Sequence, residues 1–425
     1  MPRPNLAPSP ALGTYAEGFG PLARVFAEHL ASGQEIGAAL AIHHRGELVV
    51  DLWGGSADLK NRRPWTERSR INVFSATKGV AAMALHLLAD RGRLAWDAPV
   101  STYWPGFARN GKESITIRTL LGHRGGLCCL DTPLALSATI DQARRDEVRE
   151  ALEAQRPAWR PGEDQGYHAI TFGMYAKELF ERIAGESMGG FLRRELLDPL
   201  GSDFHLGTPE LLDDDVATLY APSATTRLVK TLATALVDPH GNVARVARDT
   251  LRTASMSRRA FLNPRLDLPG GLTAYNGTGV RRGEMPWGNG TATARGLSRA
   301  YLPFASRGVH AGRRYLREES FAHAYGRDGW SERDRVLHKP LGWTCGFLKE
   351  ELHLFSPVRE SFGHAGMGGA LGWCDPVNEL TFGYVMNRMD FRVRSPRALA
   401  LCHALYDCPA IRDLHGCVGG ARAVR

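Results

Sequence analysis

The sequence predicts an α/β protein of the α+β type: an antiparallel sheet built from both chain ends and flanked by helices, plus an inserted, mainly helical domain. Three observations carry this. Two β-rich runs, Ala38–His43 and Glu47–Trp53, lie near the start around an Arg45-Gly46 turn. Two more, about 368–374 and 380–387, lie near the end around Asp375–Asn378. Between them the apolar residues recur at helical spacing. Strands from both ends are most simply placed in one sheet. Residues 1–97 and 305–425 are therefore expected to form a discontinuous α/β domain and 98–304 the helical one.

The elements follow in order. Residues 14–32 predict a helix, because Phe19, Leu22, Val25, Phe26 and Leu30 share a face. The hairpin comes next. A helix from Ser75 to about Arg91 ends at Gly92. Further helices are predicted at 115–122, 139–155, 170–184, 190–197, 224–236, 246–259 and 293–306. A last helix, Pro396–Tyr406, closes the chain.

The 425 residues are 43% hydrophobic and 23% charged, a soluble globular composition. The net charge of +8 comes mostly from scattered arginines, with no nucleic-acid-binding motif, so no nucleic-acid partner is expected. The first fifteen residues lack a signal-peptide pattern, and the apolar run after Lys78 is broken by His86 and Asp90. Neither a membrane span nor a membrane partner is expected. Seven irregularly spaced cysteines, with Cys128 and Cys129 adjacent, suit reduced thiols in a cytoplasmic protein. No metal motif or phosphate loop appears, and His43-His44 would face opposite ways on a strand. No cofactor or metal is expected. Oligomeric state is not legible.

Two serines compete as nucleophile. Ser187 stands in a G-x-S-x-G spacing with Gly185 and Gly189, but a nucleophile elbow needs a strand before it. The preceding Phe172, Tyr175, Leu179 and Ile183 recur at helical spacing. Ser187 therefore reads as the N-cap of the next helix. Ser75 follows a β-rich approach and opens a long helix, with Lys78 three residues on and on the same face. A serine hydroxyl needs a base. Burial and the positive end of a helix both favour the neutral lysine that can act as one. The same helix end aims the Ser75 N–H at a developing oxyanion. The plain alternative is a serine cap beside an exposed lysine.

Two other stretches fit. Tyr167, in a turn before a helix, can relay a proton to a serine–lysine pair, or can be an ordinary tyrosine. His364-Ala365-Gly366 is expected at the start of a strand whose glycines admit a substrate, or merely bend the chain.

The segments "NVFSATKGVAAMALHLL", "ITIRTLLGHRGGL", "GYHAITFGMYAKELF", "NGTATARGLSRAY" and "FGHAGMGGALGWCDP" resemble, in order and over nearly the whole chain, the serine β-lactamase and penicillin-recognising superfamily. The chain looks most like its family VIII carboxylesterases. The resemblance implies a β-lactamase/transpeptidase-like fold, its active site at the interface of the two domains, with Ser75 as acylated nucleophile and Lys78 and Tyr167 as proton-transfer partners. It implies an oxyanion hole from the N–H groups of Ser75 and Met367, and substrate binding by His364, Ala365, Gly366 and His168. Two departures bear on substrate. Tyr167-His168-Ala169 lacks the asparagine of the family's Y-x-N element, and His364-Ala365 replaces the lysine and threonine of K-T-G. Both move preference from carboxylated lactams towards neutral esters, since a mostly neutral histidine is a weaker anion anchor than lysine. The implied activity is hydrolysis of short- to medium-chain carboxylic esters. A transacylase, a β-lactamase, and an amidase or D-amino-acid peptidase would use the same site. A non-catalytic ligand-binding protein could keep the fold, but Ser75, Lys78 and Tyr167 are all present. His123 and Arg124 are expected to brace the site. Arg281-Arg282 and Trp287 are expected at its entrance or on the surface.

Overall fold

The structure, a computed structural model, describes residues 10–349, 355–392 and 395–412. The reading of the N-terminal segment falls partly, through residues 1–9, outside the described residues. In chain order the strands along the path of the main sheet are β1 (Leu12–Tyr15), β2 (Gly37–His44), β3 (Glu47–Asp58), β4 (Gly329–Ser331), β5 (Leu341–Trp343), β6 (Leu348–Lys349), β7 (Phe362–Ala365), β8 (Leu371–Asp375) and β9 (Leu380–Met386), and the short strand Arg63–Pro64 pairs with β3 off this path. Across the sheet they run β1-β3-β2-β9-β8-β7-β6-β5-β4, each pair antiparallel. The two chain ends join where β9 meets β2, from Leu380 opposite His44 to Met386 opposite Ala38. The sheet from both ends is thus realised. Its first hairpin turns at Arg45 and Gly46, both at positive φ (51° and 84°), the combination that matches strand twist.

The helices used below are α1 (Gly20–Ala31), α2 (Ala76–Asp90), α3 (Thr171–Ala184), α4 (Ala224–Val237), α5 (Asn242–Leu251), α6 (Ala294–Ala300) and α7 (Pro396–Tyr406). Alternation along β2 divides the core between two faces. Ala38, Leu40 and Ile42 join Leu22 and Phe26 of α1 and Leu401 and Leu405 of α7. Ala39 and Ala41 join α2 and Leu297 of α6 on the other face. Every residue from Ala76 to Leu88 is buried, so α2 is apolar all round, as a central helix must be. His86 fits there as a neutral ring. Its Nε2 lies 2.9 Å from the Cys345 carbonyl, and burial lowers its pKa to about 3.

Several expectations need correction. The helix expected from residue 14 starts at Gly20, with Pro21 in its first turn. Leu12–Tyr15 instead pairs with β3. The helix expected at 246–259 is two, α5 and Met256–Leu262, the second capped by Ser255 through the Arg258 N–H. Strand β8 begins at Leu371 rather than 368, because Gly368 and Gly369 (φ 88° and 139°) make the turn before it. His364 and Ala365 accordingly end a strand, β7, rather than start one. Cys128, Cys129, Cys345, Cys374, Cys402 and Cys408 are buried free thiols, and Cys417 lies outside the described residues.

Candidate active site

Ser75 is delivered by a clamped, sharply turned approach. Ile71–Asn72 pairs with Thr291–Ala292. The Val73 N–H donates to the Gly290 carbonyl (2.9 Å), Asn72 Nδ2 to that of Gly288 (3.1 Å), and the Gly290 N–H to Thr77 Oγ1 (3.0 Å). Phe74 then takes φ 46°, a left-handed conformation rare for a bulky side chain. Ser75 follows at the N-cap of α2, yet its hydroxyl caps nothing. Instead Ser75 Oγ and Lys78 Nζ are hydrogen-bonded at 2.9 Å. Ser187 does the opposite: its Oγ accepts the Gly190 N–H at 3.1 Å, the geometry of an ordinary cap.

Lys78 is fully buried. Its Nζ also donates to the Trp287 carbonyl (2.9 Å) and stands 5.2 Å from the centre of the Tyr167 ring. Removal from water pushes its pKa well below 10.5. The neutral amine this favours can take a proton from the neighbouring hydroxyl.

Tyr167 is held from two sides. Its ring stacks on Trp343, 5.6 Å between centres and 8° from parallel. Its backbone N–H donates to Asp334 Oδ1 at 3.1 Å. The same oxygen accepts the Val336 and Leu337 N–H groups, each at 2.9 Å. Burial raises the Asp334 carboxyl to about 6.

The turn after β7 lies against the approach to Ser75. A methyl group on Gly366 would sit 2.1 Å from the Val73 carbonyl oxygen, so only glycine lets the two segments touch. Among the described residues, neither the Ser75 nor the Met367 N–H is used by the fold's backbone hydrogen bonds. Ser75, Ala365 and Met367 are partly exposed, while Lys78, Tyr167 and His364 lie beneath them. His364 packs near the second turn of α2 and 6.1 Å from the Tyr167 ring, its Nδ1 2.8 Å from the Ala365 carbonyl.

His168 does not line the site. Its ring is fully buried and turned inward, Nδ1 3.0 Å from His123 Nδ1 and Nε2 accepting the Leu127 N–H at 3.2 Å. His123 Nδ1 also accepts the His168 N–H at 3.0 Å, which makes it an acceptor and leaves His168 Nδ1 the donor between the rings. The pair forms a floor beneath Tyr167 and Trp343, with His123 3.9 Å from the Trp343 ring centre. Arg124 reaches the carbonyls of Gly162 and Asp328. Arg281 and Arg282 are not entrance groups: both pair with Asp213, at 2.9 and 2.7 Å. Trp287 is buried and contributes its carbonyl. Asp334 and Trp343 were not singled out from the sequence. The one available signal was an acidic residue within an arginine-rich loop, "SERDRVLHKP".

Fold, site and relatives together define a serine hydrolase of the esterase kind. The chain belongs to the Beta-lactamase family, whose model matches residues 22–404. It is 33% identical over 380 residues to the Esterase/beta-lactamase LipL of Mycobacterium tuberculosis (strain ATCC 25618 / H37Rv), covering 87% of this chain and 81% of that protein. The crystal structure of a family VIII carboxylesterase superposes with a TM-score of 0.81 at 30% identity, over 94% of this chain and 99% of the other. A penicillin-binding protein homologue from Caulobacter crescentus gives 0.79 at 32% identity, over 94% and 99%.

Proposed function

We propose that the protein hydrolyses carboxylic esters with short to medium acyl chains through an acyl-enzyme on Ser75. The observation that carries the reading is the buried Ser75–Lys78 pair, 2.9 Å apart with the amine held towards its neutral form. Ser75 Oγ attacks the ester carbonyl as its one proton passes to the neutral Lys78 amine, from which Tyr167 relays it. The N–H groups of Ser75 and Met367 receive the charge that grows on the carbonyl oxygen. The C–O bond to the alcohol breaks, and the alcohol leaves with a proton returned through Tyr167. Water then attacks the acyl-enzyme by the reverse proton path. Ala365 and Gly366 offer the strand edge along which the acyl group lies, and His364 supplies no permanent cation for a carboxylate. The names of the relatives support ester hydrolysis, and the one named an esterase/β-lactamase makes the cephalosporin comparison the informative one. The test is turnover of a p-nitrophenyl ester beside a chromogenic cephalosporin, with Ser75→Ala and Ser187→Ala. The reading requires that only Ser75→Ala abolishes ester turnover and that the cephalosporin is the poorer substrate. An inactive Ser187→Ala with an active Ser75→Ala overturns it.

A further inference from the structure

Helix α4 is inside out. Thr226, Thr231, Thr234 and Ala235 lie on its less exposed side, while Leu228, Val229, Leu232, Leu236 and Val237 are exposed. Leu236 and Val237 keep 84% and 88% of their surface in contact with solvent, and Leu251 at the end of α5 keeps 81%. Single exposed leucines need no explanation, but six large apolar side chains on one helical hairpin mark a contact surface.

The rim of this surface says what covers it. Residues 224–254 carry five bases (Arg227, Lys230, Arg245, Arg248, Arg252) and two acids (Asp238, Asp249). Asp249 is engaged by His338 at 2.7 Å. Among the described residues no ion pair joins any of the five to a carboxylate; Lys230 lies 5.6 Å over the Phe391 ring and Arg248 donates to the Pro239 carbonyl at 2.9 Å. A second copy docking patch to patch would set these cations against themselves, in a chain that already carries +8. An anionic surface meets both features at once. Apolar side chains enter the acyl layer while cations that no carboxylate neutralises meet the headgroups.

The hairpin also stands beside the site. Thr226 and Lys230 line a cavity of about 520 Å³ whose wall includes Tyr220, Met389 and Phe391. Met389 packs against Gly368, the residue after Met367.

We propose that the α4–α5 hairpin is an interfacial docking element that seats the enzyme on an anionic lipid surface and brings esters of short to medium chain length dissolved in that surface to the Ser75 site. The docking stands on the hairpin alone; the choice of substrate rests on the hydrolase reading. The expectation of no membrane partner came from the lack of a spanning segment. Among the described residues no helix is long and apolar enough to cross a membrane, but lying on one needs no span.

The test is co-sedimentation of the full chain with vesicles of phosphatidylcholine, alone or with about 30% phosphatidylglycerol. The expected result is binding to the anionic vesicles only, weakened by about 0.5 M salt. The double variants Leu232→Asp/Leu236→Asp and Arg248→Glu/Arg252→Glu each weaken it at least about tenfold. Turnover of a soluble short-chain ester stays at the wild-type level in both, which shows that they fold. The proposal is overturned if wild type does not sediment with the anionic vesicles, if it binds both vesicles equally, or if Leu232→Asp/Leu236→Asp binds as wild type does. It is also overturned if size exclusion gives a dimer that this variant splits, for then a second copy covers the face. An inactive wild type that still binds anionic vesicles removes the hydrolase reading and leaves the docking in place.

Discussion

Lys78 Nζ stands 2.9 Å from Ser75 Oγ and also 2.9 Å from the Trp287 carbonyl, so one buried amine is tied to the nucleophile on one side and to the 287–291 loop on the other. The loop therefore sets the lysine, and the lysine sets the serine.

Lys78→Met should lower kcat/KM by about 10³-fold, the scale of losing a general base. It should not lower Tm at pH 7. The unfolded lysine is charged while burial favours the neutral form in the fold, so the unfolded state binds more protons and wild-type stability rises with pH towards 10.5. Methionine removes that dependence. Thermal melts of both proteins between neutral and alkaline pH would show wild type gaining on the variant; parallel curves would mean that Lys78 is charged in the fold.

Ser187→Ala removes the acceptor of the Gly190 N–H and should cost about 1 kcal/mol while leaving kcat/KM unchanged. Ser75→Ala should do the reverse, since its hydroxyl caps nothing. Denaturant melts beside ester turnover separate the two serines by opposite patterns.

Asp334→Ala strips the shared acceptor from three N–H groups, including that of Tyr167. It should cost about 2–4 kcal/mol and lower kcat more than it raises KM. Asp334→Asn keeps an acceptor oxygen and should recover most of kcat. A carboxyl raised from 3.8 to about 6 adds stability that is fully present below pH 3.8 and lost as pH rises through about 6. The advantage of the asparagine variant over wild type should therefore grow across that window, by up to about 3 kcal/mol. A constant difference from pH 4 to 7 would contradict the burial argument.

Gly366→Ala places a methyl group against the Val73 carbonyl and pushes the 366–370 turn away from Ser75. Val73 also accepts the Ala76 N–H at 3.2 Å, so the displacement reaches the serine turn itself. The loss in kcat/KM should be about 10²-fold, from misplacement alone. Unchanged acyl transfer would mean that this turn does not form the oxyanion site.

The sequence carried the local parts of this arrangement. Arg45-Gly46, the S-x-x-K spacing and the Ser187 cap are decided by neighbours within four residues, and their chemistry is visible in the letters. The parts it hid are long-range. Asp334 reaches Tyr167 across 167 positions, and Trp287 reaches Lys78 across 209. Nothing local distinguishes that aspartate from others in charged loops, and a backbone carbonyl leaves no mark in a sequence. The position of His168 next to Tyr167 says nothing of which way its ring turns; His123, 45 positions earlier, decides that. Helical period alone overran real boundaries at Gly20 and at Arg252–Ser255, where proline and capping serine outweigh apolar spacing.

A helix walled in by protein from Ala76 to Leu88 should exchange its amide hydrogens only when the whole molecule opens. Ser75 caps that helix and Lys78 stands on its first turn, so the base of the reactive pair is expected to leave its place only with the helix. Heat should therefore extinguish turnover and tertiary structure at one temperature, not in sequence. A stabilising change should lengthen the working life of the site to the extent that it slows global unfolding.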